Sequence, residues 1–251
     1  MVDTYKNEMI FGRHPVMDAL NSGVSIEKIL IQRGLRGNIE QEVKNLCSKK
    51  NIALQFVPKE KLNRTTSKNH QGLIAYISLV KYYDIEDIIP HVYEKGEIPL
   101  ILLLDQVSDV RNFGAIARSA EILGVHAIVI GMKGSAKING EAIKTSAGAL
   151  LKIPVCKAKS LTSVIELLKL NGINIIASSL KGEKKLHELD LTSGTAILIG
   201  SEGFGVSSTL LNASDEMFII PQVGQTDSFN VSVASSIILY EVLRQRQFRN
   251  Y

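Results

Sequence analysis

The sequence holds only two cysteines and five histidines in 251 residues. Cys47 and Cys156 lie far apart, so neither a disulfide framework nor a thiolate zinc site is expected, and both read as reduced core thiols. The histidines (His14, His70, His91, His126 and His187) show no ligand spacing, so no metal is expected. No apolar run approaches the roughly 18 to 20 residues that cross a bilayer. The longest, Pro99–Leu104, reads as a buried strand, and no membrane association is expected. Met1–Asn7 is polar and mixed in charge, which predicts no secretory signal and a cytoplasmic address. Three nucleotide and hydrolase signatures are also missing. No GxGxxG follows the first apolar strand, which argues against a dinucleotide-dependent oxidoreductase. No GxxxxGK[ST] loop is present, which argues against ATP or GTP binding. No GxSxG elbow is present, so Ser201 and Ser228 are poor hydrolase nucleophiles.

What is present is a soluble-type composition, 45% hydrophobic and 22% charged, with a net charge of +4. The charge is uneven. Residues 1–80 carry 12 basic and 7 acidic side chains, the remainder 17 and 18. A basic first third suits a polyanion-binding module, although a solvated, lysine-rich surface explains the same numbers and charge alone favours it slightly.

Hydrophobic periodicity divides the chain. In residues 1–80, Pro15–Leu20 and Ile39–Lys49 read as helices, and Lys28–Gln32, Ala53–Val57 and Leu73–Ile77 as strands. This is a small α/β domain. Two basic loops interrupt it, Arg33–Gly37 and Arg64–His70, where arginines can pair with phosphates or simply decorate turns. Residues 81–97 are polar and read as a linker with one or two helical turns. From residue 98 to 251 the pattern is βαβ. Strands are expected at Leu100–Leu104, Ala127–Ile130, Lys152–Cys156, Ile173–Ser178, Ala196–Ile199 and Glu216–Ile219. Helices are expected at Gly114–Leu123, Glu141–Ser146, Leu161–Leu170 and Val231–Gln245. Such alternation predicts a mostly parallel sheet.

In open α/β sheets ligands bind beyond the carboxyl ends of the strands. Four segments there are rich in glycine and hydrogen-bonding side chains: Asp105–Gly114, Ser178–Gly182, Gly200–Gly205 and Pro221–Asn230. They suit a small ligand with several polar groups. Arg118 sits in a helix of small and apolar residues. Its side chain leans toward the helix N-terminus. Gly114 and Ala115 are expected to leave space for it to reach the loop of Asn112. The plain alternative is an Arg118–Glu121 surface pair.

Three blocks, Leu104–Gly124 (LDQVSDVRNFGAIARSAEILG), Ile197–Val206 (ILIGSEGFGV) and Ile220–Glu241 (IPQVGQTDSFNVSVASSIILYE), together resemble the SpoU (TrmH-type) RNA ribose methyltransferases of the knotted SPOUT superfamily. The resemblance runs from about Leu100 to Arg246. Phe11–Val16 through Ile77 is similar to that family's N-terminal substrate-binding domain, of the ribosomal L30e type. The two-domain plan is closest to the subfamily acting on a guanosine of 23S ribosomal RNA.

The resemblance implies a trefoil knot in a C-terminal parallel sheet, a homodimer, and S-adenosyl-L-methionine as cofactor. It implies cofactor binding by Gly200, Ile220 and Phe229 with Ser178 nearby, and reaction at Arg118 with Asn112, Glu202, Ser228 and Asn230 around it. Leucine is usual where Phe229 stands, but Phe supplies the same apolar wall. Asp227 adds a charge to which no role is assigned. In the N-terminal domain Arg13, His14, Arg33, Arg36 and Arg64 are the candidate RNA contacts. The implied partner is 23S ribosomal RNA or a ribosomal precursor, with transfer RNA as the alternative substrate. A non-catalytic assembly factor is the alternative function.

The implied reaction is attack of a ribose 2′-oxygen on an already activated methyl group, so positioning dominates. Two roles for Arg118 stay open. It is coupled to an RNA phosphate that relays the proton, or it only orients hydroxyl and phosphate. The second is preferred, because a guanidinium is a poor base with a pKa above about 12. Glu202 accepts a hydrogen bond, complements the sulfonium charge, or simply caps its loop. Asn230 reads equally well as an N-cap of the last helix. Ser228 reads equally as a turn residue.

Overall fold

The computed structural model describes residues 9–35, 37–225 and 228–248. The chain divides into two compact units, Met1–Lys81 and Tyr82–Tyr251.

The first unit runs β1 (Met9–Phe11), α1 (Arg13–Asn21), β2 (Ile26–Gln32), α2 (Ile39–Lys49), β3 (Ala53–Val57), α3 (Lys59–Thr65) and β4 (Leu73–Ile77). Its four strands lie in the order β1-β4-β2-β3. β2 and β3 are parallel; β4 is antiparallel to both β1 and β2. Successive strand side chains face opposite sides. Accordingly Ile29, Ile31, Leu73 and Ala75 pack with Val16 and Leu20 of α1 and Val43 and Cys47 of α2. The alternate residues Leu30 and Ile74 pack with Leu62 of α3 on the other side. β1 and α3 have no counterpart in the periodicity: β1 is only three residues long, and α3 is seven residues, mostly polar.

The second unit begins inside the expected linker. Tyr82–Tyr83 is a strand, β5, and Ile85–Glu94 a helix, α4. Residues 81–97, expected as a linker with one or two helical turns, thus hold a strand of the sheet and a helix of 10 residues. β5 pairs in parallel beside Val155 and Cys156. α4 buries Ile85, Ile89 and Val92, a helical spacing partly disguised by Pro90 within the helix.

The elements that follow are β6 (Leu100–Asp105), α5 (Val110–Ile122), β7 (Ala127–Gly131), α6 (Gly140–Thr145), β8 (Val155–Ala158), α7 (Leu161–Leu170), β9 (Asn174–Ser178), β10 (Lys184–Lys185), β11 (Thr195–Gly200), α8 (Ser208–Ala213), β12 (Glu216–Ile219) and α9 (Val231–Gln247). Eight strands form one sheet in the order β10-β12-β9-β11-β6-β7-β8-β5. Every pairing in it is parallel. β6 is buried at all six positions, as a central strand covered on both faces must be. Ile101 and Leu103 face one layer, with Ile165 and Leu168 of α7. Leu102 and Leu104 are equally buried, as are Phe113 and Ile116 of α5 and Ile238 and Leu239 of α9.

α5 starts four residues before the expected Gly114 because Asp109 caps it, accepting from the backbone N–H groups of Arg111 (2.9 Å) and Asn112 (2.8 Å). Gly114 does not leave open space. A Cβ there would lie 2.8 Å from the Ala142 carbonyl oxygen and 2.8 Å from Thr145 Cβ, so glycine lets α5 and α6 touch. At the amino ends of the strands, the Arg246 guanidinium donates to the carbonyls of Leu191 (2.9 Å), Ile98 (2.8 Å), Pro99 (3.1 Å) and Ser193 (2.6 Å). Burial pushes its pKa down to about 10, so it stays charged at neutral pH. The carboxyl ends, opposite this clamp, are left for a site.

Candidate active site

Gly200 ends β11 level with Asp105, the last residue of β6. The buried Asp105 carboxylate accepts the Ser207 backbone N–H at 2.8 Å, which ties the far end of the 201–207 loop to β6. The loop curls back on itself. The Gly205 N–H donates to the Ser201 carbonyl at 2.8 Å. A Cβ on Gly200 would stand 1.9 Å from the Gly205 carbonyl carbon, so no side chain fits there. Gly182 is in the same position against Phe218, whose carbonyl carbon would lie 2.4 Å from the added atom.

Asn112, Glu202 and Asn230 meet although they are far apart in sequence. Glu202 accepts from Asn112 Nδ2 (3.0 Å), from Asn230 Nδ2, and from the Val231 backbone N–H (3.3 Å). Asn230 Nδ2 also donates to Asn112 Oδ1 at 3.1 Å. Asn230 Oδ1 meanwhile accepts the N–H groups of Ser232 (3.0 Å) and Val233 (3.4 Å), capping α9. One amide thus caps α9 through its oxygen and bonds Asn112 and Glu202 through its nitrogen. All three bonds to Glu202 end on its Oε1, so the two amides and the Val231 N–H together orient that carboxylate.

Beside this cluster lies a cavity of about 380 Å³. Ser178, Gly200, Ile220 and Phe229 all line it, as do Glu202 and Ser228. So do three residues that the sequence alone did not single out, Ser201, Leu180 and Gln222. Ser201 Oγ is buried with no hydrogen-bond partner. Buried hydroxyls are normally satisfied, so this one is suited to a bound polar ligand. Apolar walls from Ile199, Ile220 and Phe229 with a few polar groups are what a flat, partly charged small molecule requires.

Arg118 does not join the cluster. It is exposed, makes no hydrogen bond or ion pair with another described residue, and lines neither this cavity nor its neighbour. Six residues along an α-helix turn the side chain about 120° away from Asn112. Glu121 pairs with Lys152 at 3.4 Å rather than with Arg118. Asp227 and Arg36 lie outside the described residues.

In the first unit a groove of about 950 Å³ is lined by Arg13, Lys59 and Lys68 together with Gln32, Asn63 and Gln71. Of the described arginine and histidine candidates only Arg13 lines it; His14, Arg33 and Arg64 are exposed. Lysine counts without element boundaries could not separate Lys59 and Lys68 from their neighbours. His70 is buried beneath the groove. Its Nδ1 accepts the Gly72 N–H at 3.0 Å, so Nε2 carries the proton toward Asn63 Oδ1 at 2.8 Å. Arg13 is held by Gln71, through Nε to its carbonyl at 3.4 Å.

Among the described residues no group of three or more His, Cys, Asp or Glu is placed to hold a metal ion, and no helix is long and apolar enough to cross a membrane. Fold and site thus define an α/β protein with a small-ligand cavity at the carboxyl ends of a parallel sheet. Comparison with known proteins narrows the class. Residues 99–240 match the SpoU rRNA Methylase family, and residues 9–83 match the family of RNA 2′-O ribose methyltransferase substrate-binding domains. A Staphylococcus saprophyticus protein named as a TrmH family tRNA/rRNA methyltransferase is 35% identical over 240 residues, 96% of each chain. A crystal structure described as an RNA 2′-O ribose methyltransferase superposes with a TM-score of 0.56 at 28% identity, covering 97% of this chain and 90% of that one. The fold also matches an rRNA methyltransferase of Sinorhizobium meliloti, described as bound to S-adenosylmethionine (TM-score 0.61, 24% identity, 94% and 87% covered). The chain belongs to the SpoU/TrmH family of RNA methyltransferases.

Proposed function

We propose that this chain methylates the 2′-hydroxyl of a ribose in RNA, a guanosine of 23S ribosomal RNA, in the cytoplasm. One observation carries this reading. All four residues expected at the cofactor line one cavity, and Asn112, Glu202 and Asn230 converge at its wall. The described 2′-O ribose activity of the matched substrate-binding family supports the choice of acceptor atom.

The cofactor is S-adenosyl-L-methionine, which supplies a methyl group on a positively charged sulfur. Gly200 and Ile220 present backbone, Phe229 an apolar wall, and Ser178 and the unpartnered Ser201 hydroxyl a polar edge. Glu202 lines the same cavity and complements positive charge there. Asn112 and Asn230, locked to Glu202 and to each other, fix that carboxylate and orient the acceptor. Ser228 faces the cavity and adds a donor for the acceptor oxygen.

Arg118 orients the hydroxyl and its phosphate, since its high pKa makes it a poor base. Being exposed and outside its own cluster, it is available to the partner's cavity in a homodimer. Exposed Ile122, Val233 and Tyr240 on α5 and α9 support such a pairing. Met1–Lys81 serves as the RNA-binding domain, through Arg13 with His14, Arg33, Arg36 and Arg64, and Tyr82–Tyr251 as the catalytic one. We also assign a trefoil knot to the catalytic domain. The close backbone passages at Gly182 and Gly200 support it.

The test is incubation with methyl-labelled S-adenosylmethionine and unmodified total RNA, followed by alkali. A 2′-O-methyl blocks cleavage of its own linkage, so label is expected in resistant dinucleotides from large-subunit RNA. Label in mononucleotides would overturn the acceptor atom. The relative's name couples tRNA with rRNA, so dinucleotides from transfer RNA would move the substrate and keep the chemistry. Absence of both label and cofactor binding would leave a non-catalytic assembly factor.

A further inference from the structure

A second cavity of about 400 Å³ lies on the other side of the Glu202 loop. Its floor comes from the β6–α5 connection, with Gln106, Ser108, Asp109 and Asn112, and from Gly134. Ser201, Glu202, Gly203, Phe204 and Val231 line both cavities, so the loop is a shared wall. Asn112 lines this second cavity and bonds Glu202 of the wall at 3.0 Å. Gln106, one of these lining residues, holds a left-handed backbone with φ of 57°. Such a conformation in a residue other than glycine is strained.

Phe204 stands at the tip of this wall with 92% of its surface exposed. Leu180 and Phe229 are exposed too, but they line the cofactor cavity alone. Among the described residues Phe204 is the one exposed large apolar side chain that borders both cavities. The ring is presented by a closed turn, Ser201–Gly205, and by the pinned Glu202 two residues earlier. A flat apolar face next to a cavity edged by amide, hydroxyl and carboxylate groups fits one kind of occupant: a planar ring with polar edges.

We infer that Phe204 is the stacking platform for a base of the RNA substrate, with the second cavity receiving the polar edges of the nucleoside. Bases splayed out of RNA are held this way, on aromatic side chains with hydrogen bonds to their edges. The assignment rests on the methyl-transfer reading and makes Phe204 a positioning and specificity residue. Phe204, which borders both cavities, holds the acceptor nucleoside at the edge the two cavities share.

The test separates the flat face from apolarity. Phe204→Leu keeps an apolar side chain and removes the ring, whereas Phe204→Tyr keeps the ring. For unmodified total RNA, Phe204→Leu is expected to raise the apparent KM roughly tenfold, the worth of one base–aromatic stack. Its kcat and its affinity for S-adenosylhomocysteine should not change, and Phe204→Tyr should match the wild type. The chain has no tryptophan, so Phe204→Trp places a single indole in the protein. Its fluorescence should be quenched when total RNA is added in the presence of S-adenosylhomocysteine, a readout that needs no turnover. Wild-type KM in Phe204→Leu, or an unquenched indole, would overturn the assignment. So would a parallel loss of S-adenosylhomocysteine affinity, which would make the ring a cofactor wall. A change in sedimentation of Phe204→Leu would overturn it too, because a second copy of the chain would then cover the ring. A wild-type enzyme that transfers no methyl group overturns the earlier reading instead, and the indole titration still decides whether RNA stacks on Phe204.

Discussion

The groove of the first unit and the cavity of the second are walled by different parts of the chain. The groove is edged by long side chains, Arg13, Lys59, Lys68 and Gln71, standing on short elements. The cavity is bounded by turns whose backbones touch, at Gly200 against Gly205 and at Gly182 against Phe218. Positive charge reaches phosphates from a distance and tolerates small displacements. A cavity built by backbone contact is shaped at fixed distances, and one added methyl group removes it. A methyl donor demands the second arrangement and a polyanion the first, so the proposed division of labour follows from construction as well as from composition.

The largest expected effect attacks the cavity. Gly200→Ala forces a methyl group into the Gly205 backbone, 1.9 Å away at its carbonyl carbon. It should cost more than about 3 kcal/mol in urea unfolding, confined to the second unit. A single shifted transition covering both units would break the comparison. Next comes Asp105→Ala, which leaves the Ser207 N–H without its acceptor. The cost is about 1–3 kcal/mol. Calorimetry should show weaker binding of S-adenosylhomocysteine as the loop loosens, with RNA affinity retained.

The complementary change lies in the groove. Replacing Lys59 and Lys68 together with alanine should weaken RNA binding across sequences and lower the salt slope by about 1 per lysine. Cofactor affinity should not move. The smallest effects concern the thiols, one in each unit. Burial raises Cys47 from 9.0 to about 11 and Cys156 to about 12. The folded state thus holds protons that the unfolded chain releases above pH 9.0. The stability this gives is complete below that pH and is lost as pH rises through the folded values. At pH 8 neither thiol should react with a disulfide reagent faster than its unit opens, and thermal stability should begin to fall only above pH 9.0.

Much of the second unit was legible in advance, because its information is local. α7 and β12 occupy the expected residues, Leu161–Leu170 and Glu216–Ile219. The fully apolar LILLL stretch announces a central parallel strand, and turns rich in glycine announce the carboxyl-end loops. The linker reading of 81–97 failed because a two-residue strand and a helix containing Pro90 carry too little periodicity. The reach of Arg118 toward Asn112 failed for a different reason. It assumed that Gly114 was open, whereas α6 fills that space, a tertiary contact that no helical wheel contains. Asp105 was quoted only as the start of a loop. Its position as the charged end of an apolar strand was the available signal for a buried anchor. Asn230 was read as a helix cap and as a site residue; the geometry shows the cap through Oδ1, while Nδ2 bonds Asn112.

If the two units hold ligands by different physics, a salt titration separates them. The affinities for S-adenosylhomocysteine and for unmodified total RNA would be measured side by side from low to high ionic strength. The account predicts a steep, linear fall of log affinity with log salt for RNA and an almost flat line for the cofactor product. Equal slopes, or a flat line for RNA, would contradict it.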